Sequence, residues 1–210
     1  MSCVYTVAIR GYLLMSLVMS IVMQDCTAIC GDLRAVNVEN ESDKIDGVRK
    51  IYAINDKVAV GLAGDVKVIF DLLRHLKSED NKKRNVQAVA LFMRKWLKQA
   101  QKEDKELHLD AHVIGEGDGK KLTLIELNHA DNYRMTKVVP SSLEAKWRVM
   151  YSNEPAEPIL AKKFEELTEY TPESIASILI EVNEEVASKD DFVSKECEVI
   201  TLPNKPRTCL

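Results

Sequence analysis

Four residues in the first third of the chain have groups that together could hydrolyse an amide bond. Ser16 opens an apolar run and carries a hydroxyl that could act as a nucleophile. Asp32 follows sixteen positions later in GDLRA, Lys50 lies in RKIYAIN, and Gly64 closes AVGLAG. Asp32 would supply an acid, Lys50 a cation that tunes a base, and Gly64 a backbone N–H that stabilises an oxyanion. The residue types and their order therefore indicate acyl-transfer chemistry if the fold brings the four together.

Each of these residues also has a purely structural interpretation. Asp32 could pair with Arg34 at a strand end, as exposed ion pairs commonly do. Lys50 could be a solvated side chain beside Arg49, because lysine is seldom buried. Gly64 could serve only as the turn between a strand and a helix. The sequence by itself leaves both interpretations open.

Apolar periodicity predicts the elements that must position these residues. Strands are predicted at 16–24, 26–31, 51–54, 58–62, 107–114, 121–127, 132–139, 146–152 and 196–202. Helices are predicted at 66–77, 86–104, 156–169 and 172–187, the last with Thr171 as its N-cap. The polar stretch from Asn37 to Asp46 predicts a loop. Runs of strands separated by helix pairs predict an α+β fold, a four-layer αββα sandwich with two antiparallel sheets between helix pairs.

Composition narrows the class of protein. The chain has 210 residues, 46% of them apolar, and a net charge of −4, which fits one globular domain and gives no sign of a nucleic-acid partner. The five cysteines are odd in number and dispersed, so reduced thiols and a cytoplasmic protein are expected. The apolar run from Gly11 to Met23 is short for a membrane span and lacks a signal-peptide cleavage site. No cofactor is expected, and no metal, because four scattered histidines lack ligand spacing: His75, His108, His112 and His129.

The segments around the four residues resemble the proteasome family of N-terminal-nucleophile hydrolases, which includes β-type subunits and the bacterial two-component ATP-dependent peptidase. The resemblance covers roughly residues 16–202 and implies the fold of that family. The family's segments are matched, in order, by Gly31-Asp32-Leu33-Arg34-Ala35, Arg49-Lys50-Ile51, Ala63-Gly64 and Asp191-Phe192-Val193-Ser194.

The resemblance implies a mechanism in which a free N-terminal residue uses its own α-amine as general base. Ser16 would be the nucleophile, and the Lys50 ammonium would lower the pKa of the amine. Asp32 would hold Lys50 in place, and the Gly64 N–H would donate to the oxyanion. Asp191 and Ser194 would hydrogen-bond around the amine and steer its proton. Ser152, from the segment that replaces the family's GSG, is carried over as a further catalytic residue.

The chain departs from the family pattern beside the expected substrate cleft. Leu17 and Val36 replace two threonines, although the Val36 backbone can still pair with a substrate strand. The residues expected to contact the substrate are Arg34, Ala35, Val36, Leu62 and Val66. If Ala35, Leu62 and Val66 line the specificity pocket, small or apolar side chains would be preferred.

Residues 1–15 decide whether Ser16 has a free amine. They could be a propeptide removed by self-cleavage after Met15, or translation could begin at Met15, whose removal exposes Ser16; we favour the second route. Residues 16–202 then form one domain, and residues 203–210 a flexible tail. The expected function is cleavage of peptide or amide bonds by a homo-oligomer, with an ATPase partner left open. The alternatives are a catalytically silent assembly or scaffold protein and a small-molecule amidase on the same fold.

Overall fold

The computed structural model describes residues 12–13, 17–37, 40–77, 83–141, 144–150 and 153–203. Within these ranges there are twelve strands: β1 (Tyr12–Leu13), β2 (Val18–Val22), β3 (Cys26–Asp32), β4 (Arg34–Asn37), β5 (Asn40–Asp46), β6 (Ile51–Ala53), β7 (Val58–Gly64), β8 (Leu109–Glu116), β9 (Leu122–Asn128), β10 (Arg134–Val138), β11 (Lys146–Met150) and β12 (Cys197–Pro203). Its four helices in that part of the chain are α1 (Val66–Leu76), α2 (Val86–Glu103), α3 (Ala156–Glu165) and α4 (Pro172–Ala187).

The strands form three antiparallel sheets. The largest has five strands in the order β10-β9-β8-β7-β6, and the second has four in the order β11-β2-β3-β12. The third sheet has three strands in the order β1-β4-β5, and β4 begins two residues after the end of β3. Every residue of β2, β3 and β7 is buried, because these strands are covered on both faces. Their sequences are therefore continuous apolar runs rather than alternating ones.

Three apolar clusters connect the sheets and helices. The first joins the five-stranded sheet to α1 and α2, with Leu62 and Val66 among its members. The second joins the four-stranded sheet to α3 and α4. The third contains residues of both sheets, including Val18 and Ile29 from one and Ala63 from the other. Burial of these clusters supplies the hydrophobic free energy that holds the sheets and helices together.

Local signals in the sequence account for the helix ends. Thr171 caps α4 through a reciprocal pair of bonds with Ser174, and Pro172 occupies the first helical position. Asp65 caps α1 by accepting from the N–H groups of Lys67 and Val68. These caps explain why the helices begin within a residue of their predicted starts. In the part of the chain that the structure describes, no helix is long and apolar enough to cross a membrane.

The structure confirms the predicted α+β class and corrects one segment. The predicted loop from Asn37 to Asp46 is wrong, because Asn40–Asp46 forms β5 and pairs with β4. Its residues are mostly polar and exposed, so neither a buried run nor strict alternation marks them as a strand. Strands β1 and β4, which belong to the same three-stranded sheet, were not predicted either.

Candidate active site

Asp32 and Lys50 form a fully buried ion pair. Asp32 is the last residue of β3, and Lys50 directly precedes β6, so the two strand ends bring the side chains together. The Lys50 Nζ donates to Asp32 Oδ1, and neither side chain is exposed to solvent. Arg49, the neighbour of Lys50, instead pairs with Glu198 at 2.8 Å and is 67% exposed. The structural interpretation of Lys50 as a solvated side chain is therefore wrong.

Burial controls the protonation of Lys50. Desolvation is the largest cause and lowers its pKa from 10.5 to about 8, while the charge and hydrogen bond of Asp32 act in the opposite direction. An ammonium with this pKa exchanges its proton near neutral pH far more readily than an ordinary lysine. Such perturbed groups are concentrated at functional sites.

The second oxygen of Asp32 connects the pair to Ser194, 162 residues away in the sequence. Asp32 Oδ2 accepts from the backbone N–H of Arg34 at 2.9 Å and from that of Ser194 at 3.1 Å. The Ser194 hydroxyl accepts from the N–H of Leu33 at 2.8 Å. The structure thus brings together three residues that the sequence selected: Asp32, Lys50 and Ser194.

Asn183 holds the Ser194 segment from the helix side and was missed by the sequence analysis. It is fully buried on α4, and its Nδ2 donates to the carbonyls of Ser194 at 2.9 Å and Lys195 at 3.1 Å. A signal was present in the sequence, because Asn183 lies on the face of α4 that is otherwise apolar, next to Val182 and one turn before Val186. A polar residue at such a position usually satisfies specific buried partners.

Arg34 braces the same segment instead of projecting alone into solvent. Its guanidinium makes a two-bond contact with Asp46, at 2.8 and 3.1 Å, and donates to the carbonyl of Asp191 at 2.9 Å. Asp32 meets Arg34 through the backbone N–H, so the interpretation of Asp32 as a surface partner of the Arg34 side chain is wrong. The role of Arg34 in substrate binding stays a prediction.

Asp191 lies apart from the Asp32–Lys50 pair. Its carboxylate is 95% exposed and lies 3.7 Å from the Lys44 ammonium. The preceding residue, Asp190, is buried and accepts from the N–H of Asn153 at 3.0 Å and of Phe192 at 2.9 Å. Asp190 therefore connects the segment after β11 to the segment before β12. The catalytic role of Asp191 stays a prediction that no contact with Asp32 supports.

Gly64 lies at the end of β7, at a position that has no room for a side chain. Its φ of +136° is unfavourable for a side chain, and a Cβ would lie 2.1 Å from the carbonyl oxygen of His108. The N–H of Leu62 donates to the carbonyl of Lys50 at 2.8 Å. Because backbone N–H groups alternate along a strand, the Gly64 N–H points to the same edge of β7, beyond Lys50. Gly64 thus serves as a turn and also directs an N–H toward the edge where Lys50 lies.

The remaining residues selected from the sequence are placed as follows. Ala35, Leu62 and Val66 are 1%, 0% and 3% exposed and belong to the first apolar cluster. Val36 in β4 pairs with Leu13 of β1 on one side and Lys44 of β5 on the other, so the backbone edge expected to bind substrate is occupied by β1. A substrate contact by these residues stays a prediction.

Ser16 and Ser152 lie outside the described residues. Leu17, which follows Ser16 in the sequence, is fully buried, and its carbonyl accepts from the N–H of Asp32 at 3.2 Å. Within the described ranges, no group of three or more histidine, cysteine, aspartate or glutamate side chains is arranged to hold a metal ion.

Comparisons with known proteins agree with this arrangement of elements. No family model matches the chain, and no curated protein sequence matches it significantly. Among solved structures, the helical assembly of the Anbu complex from Pseudomonas aeruginosa is similar with a TM-score of 0.69 and 14% identity, over 88% of this chain and 80% of that one. Anbu (ancestral beta-subunit) from Yersinia bercovieri also gives 0.69, with 11% identity over 89% and 81%.

A third similar structure is the eukaryotic HslV from Trypanosoma brucei. It gives a TM-score of 0.61 and 15% identity, over 89% of this chain and 99% of that one. At such identities the likeness concerns the fold. The chain therefore has the proteasome-like fold that Anbu and HslV share.

Proposed function

We propose that this protein is a proteasome-like N-terminal-nucleophile hydrolase that cleaves peptide or amide bonds through an acyl-enzyme on Ser16. The observation that carries the proposal is the buried Asp32–Lys50 pair, next to the point where the chain enters β2. The Leu17 carbonyl bonds to the Asp32 N–H, and Ser16 is one peptide bond upstream of Leu17. A nucleophile at this position would have the Lys50 ammonium as its neighbour.

The proposed reaction uses one residue as both nucleophile and base. The α-amine of Ser16, whose ordinary pKa is about 8, takes the proton of its own hydroxyl as Oγ attacks the carbonyl carbon. The positive charge on Lys50 lowers the pKa of that amine, which keeps it unprotonated at neutral pH. The amine then gives its proton to the leaving nitrogen, and water hydrolyses the ester in a second step of the same kind.

The oxyanion of the tetrahedral intermediate would accept from the Gly64 N–H. A donor of this kind contributes a factor of about 10²–10³ in kcat in other acyl-transfer enzymes. Asp32 keeps Lys50 oriented, and Ser194 with Asn183 behind it keeps Asp32 oriented. The cluster memberships further support, as part of this proposal, the layer order helices, sheet, sheet, helices.

The pairing of β1 with β4 bears on residues 1–15. If a substrate strand pairs with β4, as the fold suggests, Tyr12 and Leu13 must first leave that edge. Removal of residues 1–15 would free the edge and the Ser16 amine in one event. We propose the active form as a homo-oligomer that begins at Ser16, with any ATPase partner still to be identified.

The same pairing favours a second candidate, a catalytically silent assembly protein. With residues 1–15 attached, the Ser16 nitrogen is an amide and cannot act as a base, and β1 covers the edge of β4. The two candidates thus differ in whether the peptide bond between Met15 and Ser16 is present.

Intact-mass measurement of the protein from its native source separates them. A mass that begins at Ser16 supports the hydrolase, and a chain that retains residues 1–15 contradicts it. The companion test is covalent labelling by a β-lactone or vinyl-sulfone probe. Labelling should be lost in Ser16→Ala and retained in Ser42→Ala, whose substituted side chain is on exposed β5. Labelling that survives Ser16→Ala would refute the assignment of the nucleophile.

A further inference from the structure

Two cysteines lie beside Asp32 on adjacent strands. Cys30 is on β3, and Cys197 is the first residue of β12. The ladder pairs Cys197 with Asp32 and Val199 with Cys30. Because side chains alternate along a strand, Cys30, Asp32 and Cys197 share one face of the sheet. The two thiols are therefore diagonal cross-strand neighbours.

The environments of the two thiols differ. Cys30 is fully buried in the second apolar cluster beneath α4, and its thiol donates to the Leu179 carbonyl at 3.9 Å. Cys197 packs at the margin of the same cluster and is partly exposed, and both cysteines are unoxidised. Cys197 is therefore the more accessible of the two cysteines to a small reagent.

The mutual influence of the two thiols favours the thiolate at Cys197 over the thiolate at Cys30. Interaction with the Cys197 thiol is the largest cause that raises the pKa of Cys30 well above its ordinary value, with burial second. The same interaction lowers the pKa of Cys197, against the opposing effect of burial. Thiolate character and exposure both favour reaction with peroxides, and an adjacent second cysteine allows a disulfide to form.

We propose that Cys197 and Cys30 are a reversible oxidation site, in which a hydroperoxide converts the two thiols to a disulfide. The Cys197 thiolate attacks one oxygen of the peroxide and breaks the O–O bond, which gives a sulfenic acid. The leaving oxygen takes up the proton that the Cys197 thiol released and departs as an alcohol or, from hydrogen peroxide, as water. The Cys30 sulfur then displaces hydroxide from the Cys197 sulfur, and the Cys30 proton leaves in a second molecule of water. The two thiols lose two electrons in total, and the peroxide gains them.

Disulfide formation requires a small movement of β12. Diagonal cross-strand residues lie about 7–8 Å apart, whereas disulfide-linked Cα atoms lie about 4.4–6.8 Å apart. Cys197 is at the very start of its strand, where the ladder ends, so its backbone can move without breaking the rest of β12. The resulting bond would be strained and easily reduced, as labile disulfides are.

The site adjoins the proposed catalytic group. Cys197 is opposite Asp32 and three residues after Ser194, whose N–H bonds to Asp32. A shift of β12 toward β3 would move that segment, so oxidation should lower the activity of the hydrolase. This consequence rests on the proposed function, whereas formation of the disulfide does not.

The experiment is oxidation of the full chain in a Cys3→Ser/Cys209→Ser background with hydrogen peroxide, followed by alkylation with N-ethylmaleimide in denaturant. We expect one alkylated thiol, Cys26, a peptide that links Cys30 to Cys197, and recovery of two thiols after dithiothreitol. Cys26 is the matched internal control, because it is on the same strand and face but lies opposite Pro203.

Two variants keep the test informative if disulfide yield is low. In Cys30→Ala, Cys197 should stop at the sulfenic acid and be trapped by dimedone, and Cys26→Ala should leave the Cys30–Cys197 link intact. Complete alkylation of all three thiols after peroxide, or a link that uses Cys26, would overturn the proposal. If the reduced protein shows no hydrolase activity but the link forms, the proposed function fails and the oxidation site stands.

Discussion

Replacing Asp32 by asparagine removes the anion that faces a lysine with no exposure to solvent. Asparagine keeps the shape, and its amide oxygen can still accept from the Ser194 and Arg34 N–H groups. Its NH2 group then faces the Lys50 ammonium, so the substitution removes both the charge and the acceptor of Lys50. Breaking a buried ion pair by removing one partner costs about 3–5 kcal/mol, because the other charge stays buried without compensation. We expect Asp32→Asn to lower the free energy of unfolding by that amount at pH 7.

Chemical unfolding of a double-mutant cycle measures this cost. Lys50→Met should also be destabilising, since it leaves Asp32 without its cation, whereas the double variant Asp32→Asn/Lys50→Met should lose much less than the sum of the two. Asp46→Asn is the matched control, because its pair with Arg34 is 60% exposed on the carboxylate side. Exposed pairs contribute about 0–1 kcal/mol, so this variant should be nearly as stable as the parent. A cost below about 1 kcal/mol for Asp32→Asn, or strictly additive single effects, would refute the buried-pair interpretation.

The same protein should show a pH signature of Lys50. Its pKa is about 8 in the folded chain and 10.5 in the unfolded chain, so the unfolded chain binds more protons between these values. Stability from this group therefore rises with pH from about 8 to 10.5, and below pH 8 the full desolvation cost, about 3 kcal/mol, is present. Lys50→Met should lack this rise, and an identical pH profile in the two proteins would contradict the low pKa.

Three further predictions concern neighbouring positions. Burial lowers the pKa of His112 to about 3, so the unfolded chain binds more protons than the folded chain between pH 3 and 6.5. The free energy of unfolding, measured with urea, should therefore fall on acidification through that range, and it should fall less steeply in His112→Gln. Gly64→Ala should lower the free energy of unfolding by at least about 2 kcal/mol, because the new Cβ clashes with backbone and φ is positive. Gly47→Ala, where φ is +85° but the space is open, should lower it by about 1 kcal/mol; thermal unfolding measures both. Asn183→Leu removes the side-chain donor to the buried Ser194 carbonyl and to the partly buried Lys195 carbonyl, so it should cost about 1–3 kcal/mol and speed hydrogen exchange at the Ser194 N–H. Unchanged exchange would show that Asn183 does not hold that segment.

The parts of the fold that sequence could predict are those whose hydrophobic pattern matches their burial. The runs around β2, β3 and β7 are continuous and apolar because both faces are covered, and α1, α2, α3 and α4 carry an apolar stripe. By contrast, β5 is mostly polar and exposed, so its pairing with β4 depends on backbone hydrogen bonds that leave little trace in residue type. The three-stranded sheet was missed for this reason.

The site was predictable to the extent that the chain's segments resemble those of the proteasome family in the same order. The sequence analysis selected Asp32, Lys50 and Ser194, and the structure brings these three residues into contact. Burial of Lys50 was not predictable from its neighbours, because it follows an arginine that is exposed. The roles of Asn183 and Asp190 depend on contacts between segments far apart in the chain, which one sequence does not contain.

Stability alone gives a poor reason for keeping Asp32 and Lys50. Replacing a buried ion pair by apolar or neutral residues of similar volume is often neutral or stabilising by about 1–4 kcal/mol. Burial lowers the pKa of Lys50 to about 8 in spite of the opposing effect of Asp32, so the fold sustains a net desolvation cost. The proposed chemical role would account for that cost, because a cation fixed beside the entry of β2 could tune an amine at Ser16. The double variant Asp32→Asn/Lys50→Met therefore separates the two explanations. If the protein is a hydrolase, this variant should fold well but lose labelling by the β-lactone probe. Undiminished labelling would show that the pair serves the fold alone.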